Sequence, residues 1–204
     1  MRLPNLSIAT KLYLIFALLA TVTVVLVSIT VFNSRRHAAL TAEFGSAFAG
    51  ALNVERVNAL IYAVVMESRG IYMSSDIPTA KIYGDGLLVF NDRIGEVVRE
   101  WQHSVRSDDE ALFEAFSRRI RQFQEFRREL VRRGVEINPA AGRECGDNDA
   151  NRSVRKALNL DLTQLSELYA KRSQRIYEEI NNNSIRVAWL TGVTAALAVM
   201  LAAL

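Results

Sequence analysis

The chain has 204 residues, half of them hydrophobic, with 25 Lys and Arg against 22 Asp and Glu and a formal net charge of +3. Arg2 and Lys11 are the only bases outside 33–186, and every acid lies inside it, so the middle is close to neutral and the basic balance does not signal a nucleic-acid partner. One cysteine, Cys145, excludes an internal disulfide framework, and without a His/Cys cluster or a Cys-x-x-Cys-His run neither a metal nor a covalent cofactor is expected.

The first element is residues 12–32, free of charge and long enough to cross a bilayer as a helix. Residues 1–11 form a short N-terminal segment, expected to be cytoplasmic. The apolar run exceeds a signal-peptide core, and Ala47-Phe48-Ala49 lies too far downstream for a cleavage site, so an uncleaved anchor is expected. The last element, 187–204, is uncharged to its end and reads as a second transmembrane helix. Long loops translocate largely regardless of flanking charge, which places 33–186 outside the membrane.

Breaks at 74–78 and 134–146, with a weaker one at 107–110, divide this middle domain into four expected helices, 33–73, 79–104, 108–133 and 148–186. Val54, Val57, Ile61, Val64, Ser68 and Ile71 form the inward stripe of the first. Tyr83, Leu87, Phe90, Ile94, Val97 and Trp101 form that of the second. In the third the stripe is Phe113, Phe116, Ile120, Phe123 and Leu130, interrupted by Arg127; in the fourth it is Leu158, Leu162, Leu165, Tyr169 and Ile176, interrupted by Arg172. Alternating steps of three and four suit nearly aligned helices. The fold expected is all-α, an antiparallel up-down-up-down four-helix bundle flanked by two transmembrane helices.

A second stripe runs along the first helix: Asn58, Tyr62, Val65, Arg69 and Tyr72, centred about 100° from the core stripe. A helix with two seams packs in its own bundle and against something else, which suggests a homodimer. The same stripe suits a ligand, because Arg69 offers a fork for a carboxylate and Tyr62 and Tyr72 offer flat walls with hydroxyls. The fourth helix starts nearby in such a bundle and brings Arg152, Arg155 and Asn159, so a pocket for a small organic anion is expected there. As a dimer seam alone, the stripe would need no ligand. The run Arg118, Arg119, Arg121, Arg127, Arg128, Arg132 and Arg133 reads as an outer face paired with Glu114, Glu125 and Glu129, and Cys145 as an idle thiol in a loop. No phosphate loop, Gly-x-Ser-x-Gly elbow or His-Glu-x-x-His is present, so no enzyme activity is expected.

An anchor helix running into Met66-Glu67-Ser68-Arg69-Gly70-Ile71-Tyr72-Met73-Ser74-Ser75-Asp76 resembles the ligand-sensing region of bacterial methyl-accepting chemotaxis proteins. The resemblance implies an inner-membrane homodimer with a periplasmic sensor. It implies a small-molecule ligand where the first and fourth helices meet across the dimer, and a signal carried inward by displacement of the last helix. Of the family's pocket arginines, only Arg69 has a counterpart here. The HAMP linker and methylated helices of that family are missing from this chain, which stops at Leu204 inside the second span, as a fragment or as a truncated receptor would. Similar input modules occur in membrane histidine kinases and cyclic-dinucleotide enzymes, and a ligand-free structural or adaptor membrane protein is the remaining alternative.

Overall fold

A computed structural model describes residues 7–202 and shows them as helices joined by short links, with no strand among them. Five helices follow in order: α1 (Ile8–Met73), α2 (Ile77–Gln102), α3 (Glu110–Glu136), α4 (Pro139–Gly146) and α5 (Asp149–Ala202), with a 3-10 turn over Ser107–Asp109 ahead of α3. The expectations for residues 1–6 and 203–204 lie outside the described residues.

Local chemistry explains the breaks. Thr79 donates its backbone N–H to Asp76 Oδ1 at 2.8 Å, capping α2 with Pro78 in its first turn. Ala141 does the same to Asn138 Oδ1 at 2.8 Å ahead of α4, and Asn151 to Asn148 Oδ1 at 2.9 Å ahead of α5. The segment 134–146, expected as a break, is therefore shorter. Helix α3 continues to Glu136, and Asn138-Pro139 starts a helix of its own. Gly142 rests against the backbone of Gly134, where a Cβ would collide with main-chain atoms. That close approach folds α4 back on α3.

The chain divides into two compact units. One is Ser46–Ser173, and its core draws on α1, α2, α3 and α5. The α1 stripe from Val54 to Ile71 is buried throughout, as is the α5 stripe from Leu158 to Tyr169. Each fully buried aliphatic side chain, such as Val57, Leu87 or Leu158, contributes roughly 1.5–3 kcal/mol. Trp101 is the hub of an aromatic group, 5.1 Å from Phe113 and 5.7 Å from Phe116 in edge-on geometry and 5.9 Å from Tyr169.

The α2 stripe differs from expectation. Its buried positions are Ala80, Gly84, Leu87, Asn91, Ile94, Val98 and Trp101, while Tyr83 is exposed and Phe90 and Val97 are half-buried at the flank. Two residues without hydrophobic weight cause the rotation. Gly84 admits Val131 and Val135 of α3, and Asn91 trades bonds with Gln124: Asn91 Nδ2 donates to the Gln124 carbonyl at 3.2 Å and Gln124 Nε2 to the Asn91 carbonyl at 2.6 Å. Tyr83 instead lies over Gly70 of α1, whose missing Cβ makes room for its ring.

The arginine run is not one outer face. Arg132 and Arg133 pair with Glu129, Arg118 with Glu114 and Arg128 with Asp92, all at the surface. Arg119 reaches the buried Asp161, and Arg127 is itself buried, 4% exposed. Arg172, which interrupts the α5 stripe, is held by Asp109 at the start of α3.

The other unit joins the chain before Ser46 to the chain from Gln174 onward. Here α1 and α5 share a bond from Asn183 Nδ2 to Asn33 Oδ1 at 2.6 Å and an ion pair between Arg175 and Glu43 at 3.7 Å. Both helices carry segments long and apolar enough to cross a membrane, and those segments are uncovered by the protein, with Phe16, Phe32 and Trp189 largely exposed. Five of their hydroxyls are satisfied within the helix: Thr21, Thr23, Ser28 and Thr30 each donate to the carbonyl four residues earlier at 2.8–2.9 Å, as Thr194 does to Leu190 at 2.7 Å. Such back-bonding suits an environment without water.

Candidate functional site

The second stripe of α1 faces the first turns of α5 across two adjoining cavities in the Ser46–Ser173 unit. The first, of about 200 Å³, is walled by Arg69 and Tyr72 of α1 and by Arg152 and Arg155 of α5. The second, of about 310 Å³, shares Val65, Arg69 and Arg155 with it and adds Tyr62, Met66 and Asn159. All six residues expected to line a pocket from sequence thus come together. Asn58 lies further along, with Tyr62 and Asn159, in a third concavity that also contains Glu55 and Glu167. Lys156, about two turns into α5, is exposed and lines none of the three.

Helix ends shape the first cavity. Asn148 and Asn151 each donate a side-chain N–H to the Cys145 carbonyl, at 2.7 and 2.8 Å, and so fix the α4–α5 link. Gly146, at the end of α4, leaves space that the Tyr72 hydroxyl and Leu130 fill. Arg152 is occupied, donating to Asp147 at 2.6 Å and to Asp149 at 2.9 Å. It therefore closes the rim and neutralises Asp147, the acid that lines the cavity. Cys145 is half-buried, and burial pushes its thiol pKa up, away from the reactive thiolate.

Sequence reading missed the residue at the floor, Arg127 of α3. Its Nη1 reaches Ser68 Oγ at 3.4 Å, its guanidinium lies 4.8 Å from the centre of the Phe123 ring, and its Nε has no hydrogen-bond partner. Burial pulls its pKa down, and the neighbouring Arg155 acts in the same direction, while Tyr72 opposes both. The Tyr72 hydroxyl, half-buried, has its pKa raised by burial against the pull of Arg127. Among the described residues no carboxylate pairs with Arg69, Arg127 or Arg155. The one available signal for Arg127 was its place at a core step between Phe123 and Leu130, where a cation is out of register with its neighbours.

The arrangement can hold an anion. Three guanidiniums without acid partners converge on a small concavity, with tyrosine hydroxyls and an asparagine amide at its walls. No cluster of His, Cys, Asp or Glu capable of holding a metal occurs among the described residues. Comparison of the chain with models of known protein families, with curated proteins and with solved structures finds no match.

Proposed function

We propose that this chain is the input portion of a transmembrane signalling receptor that detects a small organic anion outside the cell. The observation that carries this reading is that α1 and α5 both wall the arginine-lined cavities and both continue, unbroken, into apolar segments long enough to span a bilayer. A ligand held between them acts on the two helices that enter the membrane, so a change in their relative position is its natural output. The bundle we read is up-down-up-down, with α1, α2, α3 and α5 as its four members and the sensor in the periplasm of a bacterial inner-membrane protein. The exposed side chains of Tyr62 on the second stripe and of Met66 beside it favour a homodimer paired along α1. These features accord with the resemblance to methyl-accepting chemotaxis proteins carried by residues 66–76. Input modules of histidine kinases and cyclic-dinucleotide enzymes share them.

Two measurements test the reading. Small carboxylates are titrated against the full chain in nanodiscs, wild type and Arg69→Ala, by thermal shift. A rise in Tm that the substitution removes supports the site, and no rise with any carboxylate overturns it. For topology, Ser75→Cys in a Cys145→Ala background is labelled by a membrane-impermeant maleimide. Labelling of intact cells supports an outward sensor, and labelling only after permeabilisation overturns it.

A further inference from the structure

Among the described residues, Arg127 is the arginine that is buried. It is 4% exposed, its Nε has no partner, and no carboxylate answers its charge. A buried, unpaired cation is costly, so a structural arginine in a core is normally held by an acid, as Arg172 is by Asp109. The groups set against it are the Ser68 hydroxyl, the Phe123 ring, the Tyr72 hydroxyl, the Cys145 thiol, whose pKa burial raises, and a second cation, Arg155. None supplies negative charge at neutral pH. Arg127 lines a cavity of about 200 Å³, enough space for a small anion.

The geometry points to Arg127 as the anchor of an oxyanion site completed within a single subunit: a carboxylate or phosphate bonds the guanidinium fork at the floor while Arg69 and Arg155 cover its outer oxygens. This inference rests on the reading of the α1–α5 cavities as a ligand site and deepens it in two respects. It adds α3 to the helices that the ligand ties together, and it removes the need for a second subunit, since α1, α3 and α5 of one chain supply all three cations. The Tyr72 hydroxyl, kept in place by the absence of a side chain on Gly146, stands as a further donor beside the fork.

The test uses the full chain in nanodiscs and follows Tm against sodium succinate and, separately, sodium phosphate, each matched in ionic strength by sodium chloride; native mass spectrometry counts anions per subunit. Wild type is expected to gain Tm with at least one of the two, which assigns the oxyanion as carboxylate or phosphate, and to bind one anion per subunit. Arg127→Met is expected to lose the response while its Tm in chloride is unchanged or higher, because the substitution removes an uncompensated buried charge; a structural role would lower it. Arg127→Lys, which keeps the charge but not the fork, is expected to bind about tenfold more weakly, and it decides the matter if Arg127→Met does not fold. An unaltered response in Arg127→Met or Arg127→Lys, with Arg69→Ala defective, overturns the Arg127 assignment and leaves the groove as the site. One anion per two subunits overturns the single-subunit site. A wild type that responds to neither salt overturns the Arg127 oxyanion site, and the wider carboxylate titration decides the receptor reading separately.

Discussion

Arg172 holds Asp109 with two parallel hydrogen bonds, Nη1 to Oδ2 at 2.6 Å and Nη2 to Oδ1 at 2.8 Å, joining α5 to the residue before α3. Asp109 stands where a helix cap would, yet its carboxylate caps nothing and is spent on the arginine. Both side chains are nearly buried, and Arg172 also lies 5.7 Å from the Tyr169 ring centre.

Removing one partner strands the other. Asp109→Asn is expected to lower unfolding free energy by about 3 kcal/mol, since it leaves a buried guanidinium without its countercharge. Replacing both, as Asp109→Asn with Arg172→Met, should recover part of the loss. Chemical denaturation of the two variants checks the sign of that difference.

Glycines in helices separate by their surroundings. Gly142→Ala sets a Cβ against the Gly134 backbone, which cannot yield cheaply, and should cost about 2 kcal/mol. Gly45→Ala meets nothing within 4 Å and should be neutral or stabilising, by up to about 1 kcal/mol from helix propensity alone. Thermal unfolding of the pair checks the opposite signs.

Trp101→Ala removes the hub of the aromatic group and should cost about 4 kcal/mol. Near-ultraviolet circular dichroism, followed through the unfolding transition, should show loss of the aromatic signal together with the lower midpoint.

Acid sensitivity should appear at Glu129. Hydrogen bonds from Arg132 and then Arg133 hold its carboxyl down at about 2, against 4.5 for an ordinary glutamate. A lowered folded-state pKa means that the stabilisation is present above about 4.5 and lost as pH falls toward about 2. The side chain is 35% exposed and partly screened by solvent, so the effect is small. Glu129→Gln should flatten this part of the Tm-against-pH curve, while leaving its shape above pH 5 unaltered.

The α1 stripe could be read from sequence because apolar residues occupy nearly every core step, and Ser68, the exception, satisfies its hydroxyl on the Val64 carbonyl at 2.7 Å. The α2 stripe could not, because Gly84 and Asn91 hold core places through close approach and reciprocal bonding, neither of which carries hydrophobic weight. The walls of the candidate site were legible because each wall is one face of one helix, Tyr62 to Tyr72 and Arg152 to Asn159. Its floor was not. Arg127 stands at a core step between Phe123 and Leu130, but it also belongs to an arginine run that reads as a solvated face, and its burial decides between the two. Helix α4 was hidden by two glycines and a proline that usually mark a loop, although Asn138 ahead of Pro139 is a sound start signal.

The Asn91–Gln124 exchange has a mechanical corollary. Sliding α2 along α3 by even one residue would leave two amides facing hydrocarbon with no water to accept them, so these two helices are keyed together like teeth in a lock. The α1–α5 pair, which shares the two cavities, has no such reciprocal amide exchange among the described residues of its cavity walls, so the register of α2 on α3 is the one fixed by this device.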